Sequence, residues 1–275
     1  MPDHVTDDRV PDDRRSEDRR SEDRRSEDRT LEALGLADAP REHPLLYPGA
    51  WPASSGLLSG NHLLPLDRCT YADRVPVLAI GSNACPGQLR HKMAGSGITA
   101  PIPMVKARVT GIDIGVSAHI SLLGYVSASP FHSPGTVREL FVTWLDEEQL
   151  AVIDASEGVF RPTGGYDRAW LPSYAVRVEL ECGERLNGVH AYVNRRGVLH
   201  DGTGTGTPRR HPGERALLTE LLLATPRLRE LFGVTAEEFV SRARHDPDLC
   251  ARGTRLFAEE KLVTPSGLEP YGRRR

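Results

Sequence analysis

Two short stretches of this chain each pair a flexible backbone with groups able to bind a ligand or move a proton. The first is Ile80-Gly81-Ser82-Asn83. It begins on the last residue of Pro76-Val77-Leu78-Ala79-Ile80, a short apolar run that predicts a buried strand. A glycine directly after such a strand lets the chain bend sharply and lets a ligand approach the backbone. Pro86 to Met93 then predicts a short helix with proline in its first turn. Amide N–H groups at the turn and at the helix start would face one cavity, an arrangement that binds a carboxylate or stabilises a developing oxyanion. An ordinary tight turn is the alternative for the same residues.

The second stretch is Ile153-Asp154-Ala155-Ser156-Glu157-Gly158, followed by Gly165-Tyr166-Asp167-Arg168. Asp146-Glu147-Glu148-Gln149-Leu150 predicts a helix start, with acids in the first turn where the dipole favours them. That helix ends in an acid and a glycine. A carboxylate at a helix C-terminus is disfavoured by the dipole, which is poor for stability and useful for a proton-transfer group. Glu157 is therefore the candidate acid/base, and a solvated glutamate beside a glycine cap is the alternative.

Other chemistry finds less support. There is no H-E-x-x-H, and His190, His200 and His211 lack metal-ligand spacing, so no metal is expected. Ser82 is not in a G-x-S-x-G elbow. Cys85 sits at a predicted helix start without a matched histidine, which favours a passive thiol. Cys69, Cys85, Cys182 and Cys250 form no C-x-x-C pair, so reduced thiols are expected. Gly202 to Thr207 lacks the spacing of a phosphate-binding loop. Arg209 and Arg210 beside it are expected in a solvated loop, and Trp144 and Tyr192 in the core or a pocket wall.

The elements that must position these residues are mostly strands. Val105 to Asp113, Ala118 to Val126, Val137 to Trp144, Tyr166 to Leu171, Tyr174 to Leu180 and Val189 to Val193 are predicted to be extended. Many strands with brief helices in mixed order predict an α+β domain built round a mixed sheet or small barrel. This domain is expected over residues 75–200. Before it, residues 1–30 form a disordered, mixed-charge tail with a repeating DRRSE unit. Residues 31–74 are a proline-rich linker or packing segment of irregular chain. Residues 201–275 hold the Gly/Thr loop and then a helical extension, where Leu217, Leu218, Leu221, Leu222 and Leu223 would supply an apolar face.

The chain has 275 residues, 39% hydrophobic and 27% charged, enough for a packed core. A formal net charge of −3 argues against a general nucleic-acid binder. No apolar run is long enough to span a membrane, and the charged N-terminus does not resemble a secretory signal, so a cytoplasmic protein without membrane contact is expected.

Taken together the two stretches resemble the γ-glutamylcyclotransferase-like family. There, a Y-G-S-N motif follows the first strand, and a D-x-x-E-G motif with a Y-x-R strand follows later. Gly81, Ser82 and Asn83 match the first motif, Asp154, Glu157 and Gly158 the second, and Tyr166 and Arg168 the third. Leu89-Arg90 also falls where family members often carry Leu-Arg. The match covers under half of the chain, and Ile80 stands where the family has an aromatic residue, which puts the shape of the substrate pocket in question. The resemblance implies a cofactor-independent lyase. The α-amine of a γ-glutamyl group would attack its own γ-carbonyl, closing 5-oxoproline and releasing an amine, with Glu157 moving the protons. Ile80 to Asn83, Tyr166 and Arg168 would then bind a small γ-glutamyl substrate. The turn amides would hold its α-carboxylate or polarise its carbonyl. Two other readings stay open: the same fold acting on a specialised metabolite amide, and a small-molecule binding module without turnover.

Overall fold

The computed structural model describes residues 29 to 272, so the charged tail expected over residues 1–30 lies outside the described residues up to residue 28. Along the chain, a 3-10 turn at Pro44–Leu46 precedes the hairpin of β1 (Gly56–Ser59) and β2 (His62–Leu64). β3 (Val75–Ala79) leads through a second 3-10 turn, Gly81–Ala84, into α1 (Pro86–Ala94). Then come β4 (Ile102–Ile120), β5 (Val126–Leu145) and α2 (Glu147–Glu157). β6 (Tyr166–Pro172), β7 (Arg177–Leu180), β8 (Arg185–Leu186), β9 (Gly188–Asn194) and β10 (Val198–Leu199) follow. The chain ends in α3 (Glu214–Ala224), α4 (Pro226–Phe232), α5 (Ala236–His245), α6 (Pro247–Glu259) and β11 (Val263–Thr264).

The strands form one mixed sheet in the order β11-β10-β4-β5-β3-β9-β6, with the β1–β2 hairpin and β7–β8 attached through β4. β3 pairs antiparallel with β5 and parallel with β9, where Val77 faces His190. β11 and β6 end the order without meeting, so the sheet stays open and the small-barrel alternative does not form. The fold is α+β.

The two longest strands differ from expectation. Three predicted strands are two, joined by a turn at residues 121–125 closed by Ser121 N–H to the Tyr125 carbonyl, 2.9 Å. Gly111, Pro134 and Gly135 interrupt the regular pattern of these strands. The ladder absorbs them as a register shift, where Thr110 pairs with Val137 and Gly111 with Ser133. Ala118 to Val126, expected as one strand, spans the hairpin turn. Residues 31–74 are also less irregular than expected, since β1 pairs with β4 through Leu57 and Pro103.

One apolar cluster packs Leu89, Met93, Leu150 and Ile153 of α1 and α2 against Val77, Ala79 and Phe141 of the sheet. A second gathers Leu78, Val105, Val142 and Val189. The alternation along β3 is the two-residue period of a strand covered on both faces. The C-terminal helices build a third cluster with Val116, Ile120 and Val126 at the far end of the β4–β5 hairpin. Among the described residues, no helix is long and apolar enough to cross a membrane.

Candidate functional site

Glu157 owes its position to the way α2 is fixed at both ends. Asp146 caps the helix, accepting from Gln149 N–H at 2.9 Å while the Gln149 side chain accepts from Asp146 N–H. Gln149 is itself buried, donating to the Ala100 carbonyl at 2.7 Å and accepting from Arg74. Leu150 and Ile153 bury one face. Gly158 ends the helix at φ 72°, where its N–H reaches the Asp154 and Ala155 carbonyls. The last turn then presents the Glu157 side chain to α1.

Lys92 meets it there. Its Nζ donates to Asn83 Oδ1 at 2.8 Å and to Glu157 Oε1 at 3.2 Å, while Asn83 Nδ2 donates to the same Oε1 at 3.1 Å. The three side chains close a ring. The Lys92 side chain is 6% exposed and that of Glu157 17% exposed, so the ion pair is largely withdrawn from water. These bonds leave Oε2 available to a ligand.

Glu157 lines a cavity of about 90 Å³. Tyr47, Tyr125, Tyr166 and Tyr192 supply much of its wall. Tyr47 stacks on Tyr125 with ring centroids 4.5 Å apart. The Ala128 peptide is held from both sides: its N–H donates to Tyr47 Oη at 2.8 Å, and its carbonyl accepts from Tyr166 Oη at 3.0 Å. Burial, and then the nearby Glu157 charge, push the Tyr166 phenol up to about 12 and the Tyr125 phenol higher still. Burial also raises Tyr47 and Tyr192, the latter further through Asp154. All four stay protonated near neutrality and can donate a hydrogen bond.

Of the residues singled out by sequence, Ile80, Ser82, Asn83, Tyr166 and Glu157 line this cavity together. Gly81 lies just behind the wall at φ 68°, and a Cβ there would collide with the Tyr47 hydroxyl, so both its backbone angle and its neighbour require glycine. Arg168 is not in the wall. Its Nε sits 3.2 Å from Asp154 Oδ1, which also accepts from Tyr192 Oη at 2.8 Å. Asp154 and Arg168 thus stand behind Tyr192. His190, His200 and His211 lie away from the cavity, His200 on the Lys261 carbonyl and His211 against Glu214. Burial raises the Cys85 thiol, which donates to the Asp38 carbonyl. Among the described residues no three His, Cys, Asp or Glu side chains group to hold a metal.

Sequence reasoning missed Lys92, Tyr47, Tyr125, His119 and Arg41, all in the cavity wall. Lys92 did leave a signal: it lies between Leu89 and Met93 on the buried face of α1, an uneconomical place for a free lysine. His119 presents a buried Nδ1 without a hydrogen-bond partner among the described residues. Burial, with a smaller contribution from Arg196, lowers its pKa to about 4, so the ring is neutral near pH 7.

No protein-family profile matches the chain, and no curated protein matches it. Solved structures similar to part of it include the following two. One, named "Gamma-glutamyl cyclotransferase", is 18% identical with a TM-score of 0.35, covering 44% of this chain and 66% of that chain. The other, uncharacterized protein loc79017 from Homo sapiens, is 19% identical with a TM-score of 0.32, covering 44% and 67%. The chain thus spans just under two thirds of the first. The likeness is distant.

Proposed function

We propose that the cavity is the active site of a γ-glutamylcyclotransferase-type lyase that releases 5-oxoproline and an amine from a small γ-glutamyl substrate. The observation that carries this reading is the Glu157 carboxylate, held through Oε1 by Lys92 and Asn83 at the edge of a small, phenol-lined cavity. The nucleophile is already tethered to the carbonyl it attacks, so the protein has to fold the substrate and move protons. Glu157 takes a proton from the α-ammonium. The freed amine attacks the γ-carbonyl, a new C–N bond forms, and the original amide C–N bond breaks. Two protons leave the attacking nitrogen and two reach the leaving nitrogen, with Glu157 passing them and ending as it began.

Asn83 spends its side chain on Lys92 and Glu157, which leaves the backbone of Gly81 to Asn83 for the substrate α-carboxylate. Asp154 and Arg168 act through Tyr192 as positioning residues. On this reading the protein is a cytoplasmic enzyme that needs no cofactor.

The test is 5-oxoproline release from γ-glutamyl dipeptides and γ-glutamyl amines, with wild type beside Glu157→Gln and folding checked by thermal melting. Activity should fall on the order of 10²- to 10⁴-fold in the variant. Absence of 5-oxoproline from every substrate, or an equally active Glu157→Gln, overturns the proposal.

A further inference from the structure

Near its end β4 is bulged. Val116 pairs with Ala128 and Ile120 with Val126, so Ser117, Ala118 and His119 stand opposite Ser127 alone. A bulge of this kind re-aims a side chain that strand alternation would have pointed elsewhere. It is fastened from outside the β4–β5 ladder: Ala118 N–H donates to the Gly197 carbonyl at 3.1 Å, and Ile120 N–H to Thr254 Oγ1 at 3.0 Å. Ser117 Oγ donates to the His119 carbonyl at 3.4 Å. The His119 ring comes to lie in the cavity wall with Ser127 and Gly165.

The ring spends neither nitrogen on the protein among the described residues, and its Nδ1 is closed off from water. Burial keeps it neutral near pH 7, so it carries one N–H donor and one acceptor. With Nδ1 shut in the wall, Nε2 is the nitrogen left to carry the hydrogen and serve a ligand. Two of the surrounding phenols have committed their protons already: Tyr166 Oη donates to the Ala128 carbonyl at 3.0 Å and Tyr192 Oη to Asp154 at 2.8 Å.

We infer that His119 is a further catalytic residue, its Nε2–H donating a hydrogen bond to the γ-carbonyl oxygen of the substrate as the α-amine attacks. The inference rests on the proposed reaction and deepens it. In that reaction the backbone of Gly81 to Asn83 takes the α-carboxylate and Glu157 moves the protons. Neither supplies a donor for the charge that gathers on the carbonyl oxygen. As the new C–N bond forms, the carbonyl π pair moves onto oxygen and the hydrogen bond from His119 strengthens. When the amide C–N bond breaks the pair returns, and His119 keeps its proton throughout. A fixed donor in a small cavity is worth most where such charge develops.

The experiment follows 5-oxoproline release from γ-glutamylalanine by wild type, His119→Asn and His119→Gln, with folding checked by thermal melting. Glutamine can place an amide N–H where Nε2 stood, and asparagine is too short to reach it. His119→Asn should lower kcat on the order of 10²- to 10³-fold, the loss of one oxyanion donor, with KM little changed. His119→Gln should recover about tenfold or more of that loss. Nitrogen NMR of the histidine side chains in Glu157→Gln, with and without γ-glutamylalanine, asks for the contact without turnover. The His119 signal, assigned by its absence from the double variant with His119→Asn, should show a protonated Nε2 that shifts on binding. That shift in a protein that releases no 5-oxoproline would sink the reaction and keep His119 as a ligand donor. Release of 5-oxoproline with kcat unchanged in His119→Asn, equal losses in the two variants, or no shift on addition of ligand overturns the inference.

Discussion

Residues 31–74 and residues 201–272 pack on the sheet from opposite ends of the chain, and they meet it with different chemistry. The first segment places Arg41 and Tyr47 in the cavity wall and, besides burying Leu31, Leu36, Leu58 and Leu63 in the first cluster, is held by separate polar bonds: Arg41 to Gln88, Gly87 N–H to the Leu36 carbonyl at 3.0 Å, and Tyr47 to Ala128. The second contributes no residue to that wall and buries Leu217, Leu221, Leu228, Phe232, Phe239 and Phe257 in a cluster of its own. Glu214 is one polar tie among several, a buried acid that accepts from Val126 N–H and whose carboxyl is pushed up by burial. The difference separates shaping from supporting: proline-broken chain can aim single side chains into a site, whereas amphipathic helices bury faces.

The largest effect expected from this contrast lies in the helices. Phe232 is fully buried and stacks on Phe239 with centroids 4.3 Å apart. Phe232→Ala should lower stability by about 3–5 kcal/mol in chemical denaturation. Assayed where the variant is still folded, its kcat for 5-oxoproline release should stay within about twofold of wild type, since apolar truncations far from a site act through stability. A tenfold fall in kcat would place the helices in the catalytic machinery and break the contrast.

β4 carries the boundary between the two regions. Ile120 N–H donates to Thr254 Oγ1 of α6 at 3.0 Å and its side chain joins the helical cluster, while His119, one residue earlier, faces the cavity. With the folded His119 pKa at about 4 against an ordinary 6.5, the unfolded chain binds the extra proton between those values. Stability should therefore rise with pH across that window and fall by up to about 3 kcal/mol as acid is added from pH 6.5 to 4. Denaturation of wild type and His119→Asn at several pH values checks this, because the difference between them should grow towards pH 4. Parallel pH dependences would mean that the ring is hydrated in the folded state.

Much of the framework was legible because it follows from periodicity. The apolar run from Pro76 to Ile80, one residue out of step with β3 at either end, the acids opening α2 and the leucines of α3 each matched an element. The hairpin at residues 56–64 was not read, although Gly60-Asn61 between two leucine-rich pairs is a recognisable turn signal. The proposed site was legible only where a local motif carried it, from Ile80 to Asn83 and from Asp154 to Gly158. Lys92 bonds across 65 residues of sequence to Glu157, and Tyr47 across 81 to Ala128. Such pairings are set by how the sheet and helices dock, and nothing local specifies them.

Tyr47→Phe sharpens the contrast on the N-terminal side. It keeps the stacked ring and removes the oxygen that accepts from Ala128 N–H, leaving a buried donor unpaired. The expected loss is about 1–3 kcal/mol of stability. Unlike Phe232→Ala, this variant should also lower kcat/KM at temperatures where it is fully folded, because the Ala128 peptide it releases is part of the cavity wall. Unchanged kcat/KM would reduce residues 31–74 to a packing role like that of the helices.

The smallest effect is the most discriminating, because it compares the same device in both settings. α2 and α5 each begin with a capping box, Asp146 with Gln149 and Thr235 with Glu238. Replacing either cap by alanine should lower stability by about 1 kcal/mol, measured as matched shifts in melting. Activity should not match. The Asp146 box shares Gln149 with Arg74 and the Ala100 carbonyl, and the far end of that helix carries Glu157. Loosening its first turn lets the carboxylate wander from Lys92 and Asn83, so kcat should fall on the order of 2- to 10-fold in Asp146→Ala. In Thr235→Ala kcat should hold, since α5 contributes no residue to the cavity wall. Equal activity in the two variants would show that Leu150 and Ile153, packed in the first cluster, fix Glu157 without help from the cap.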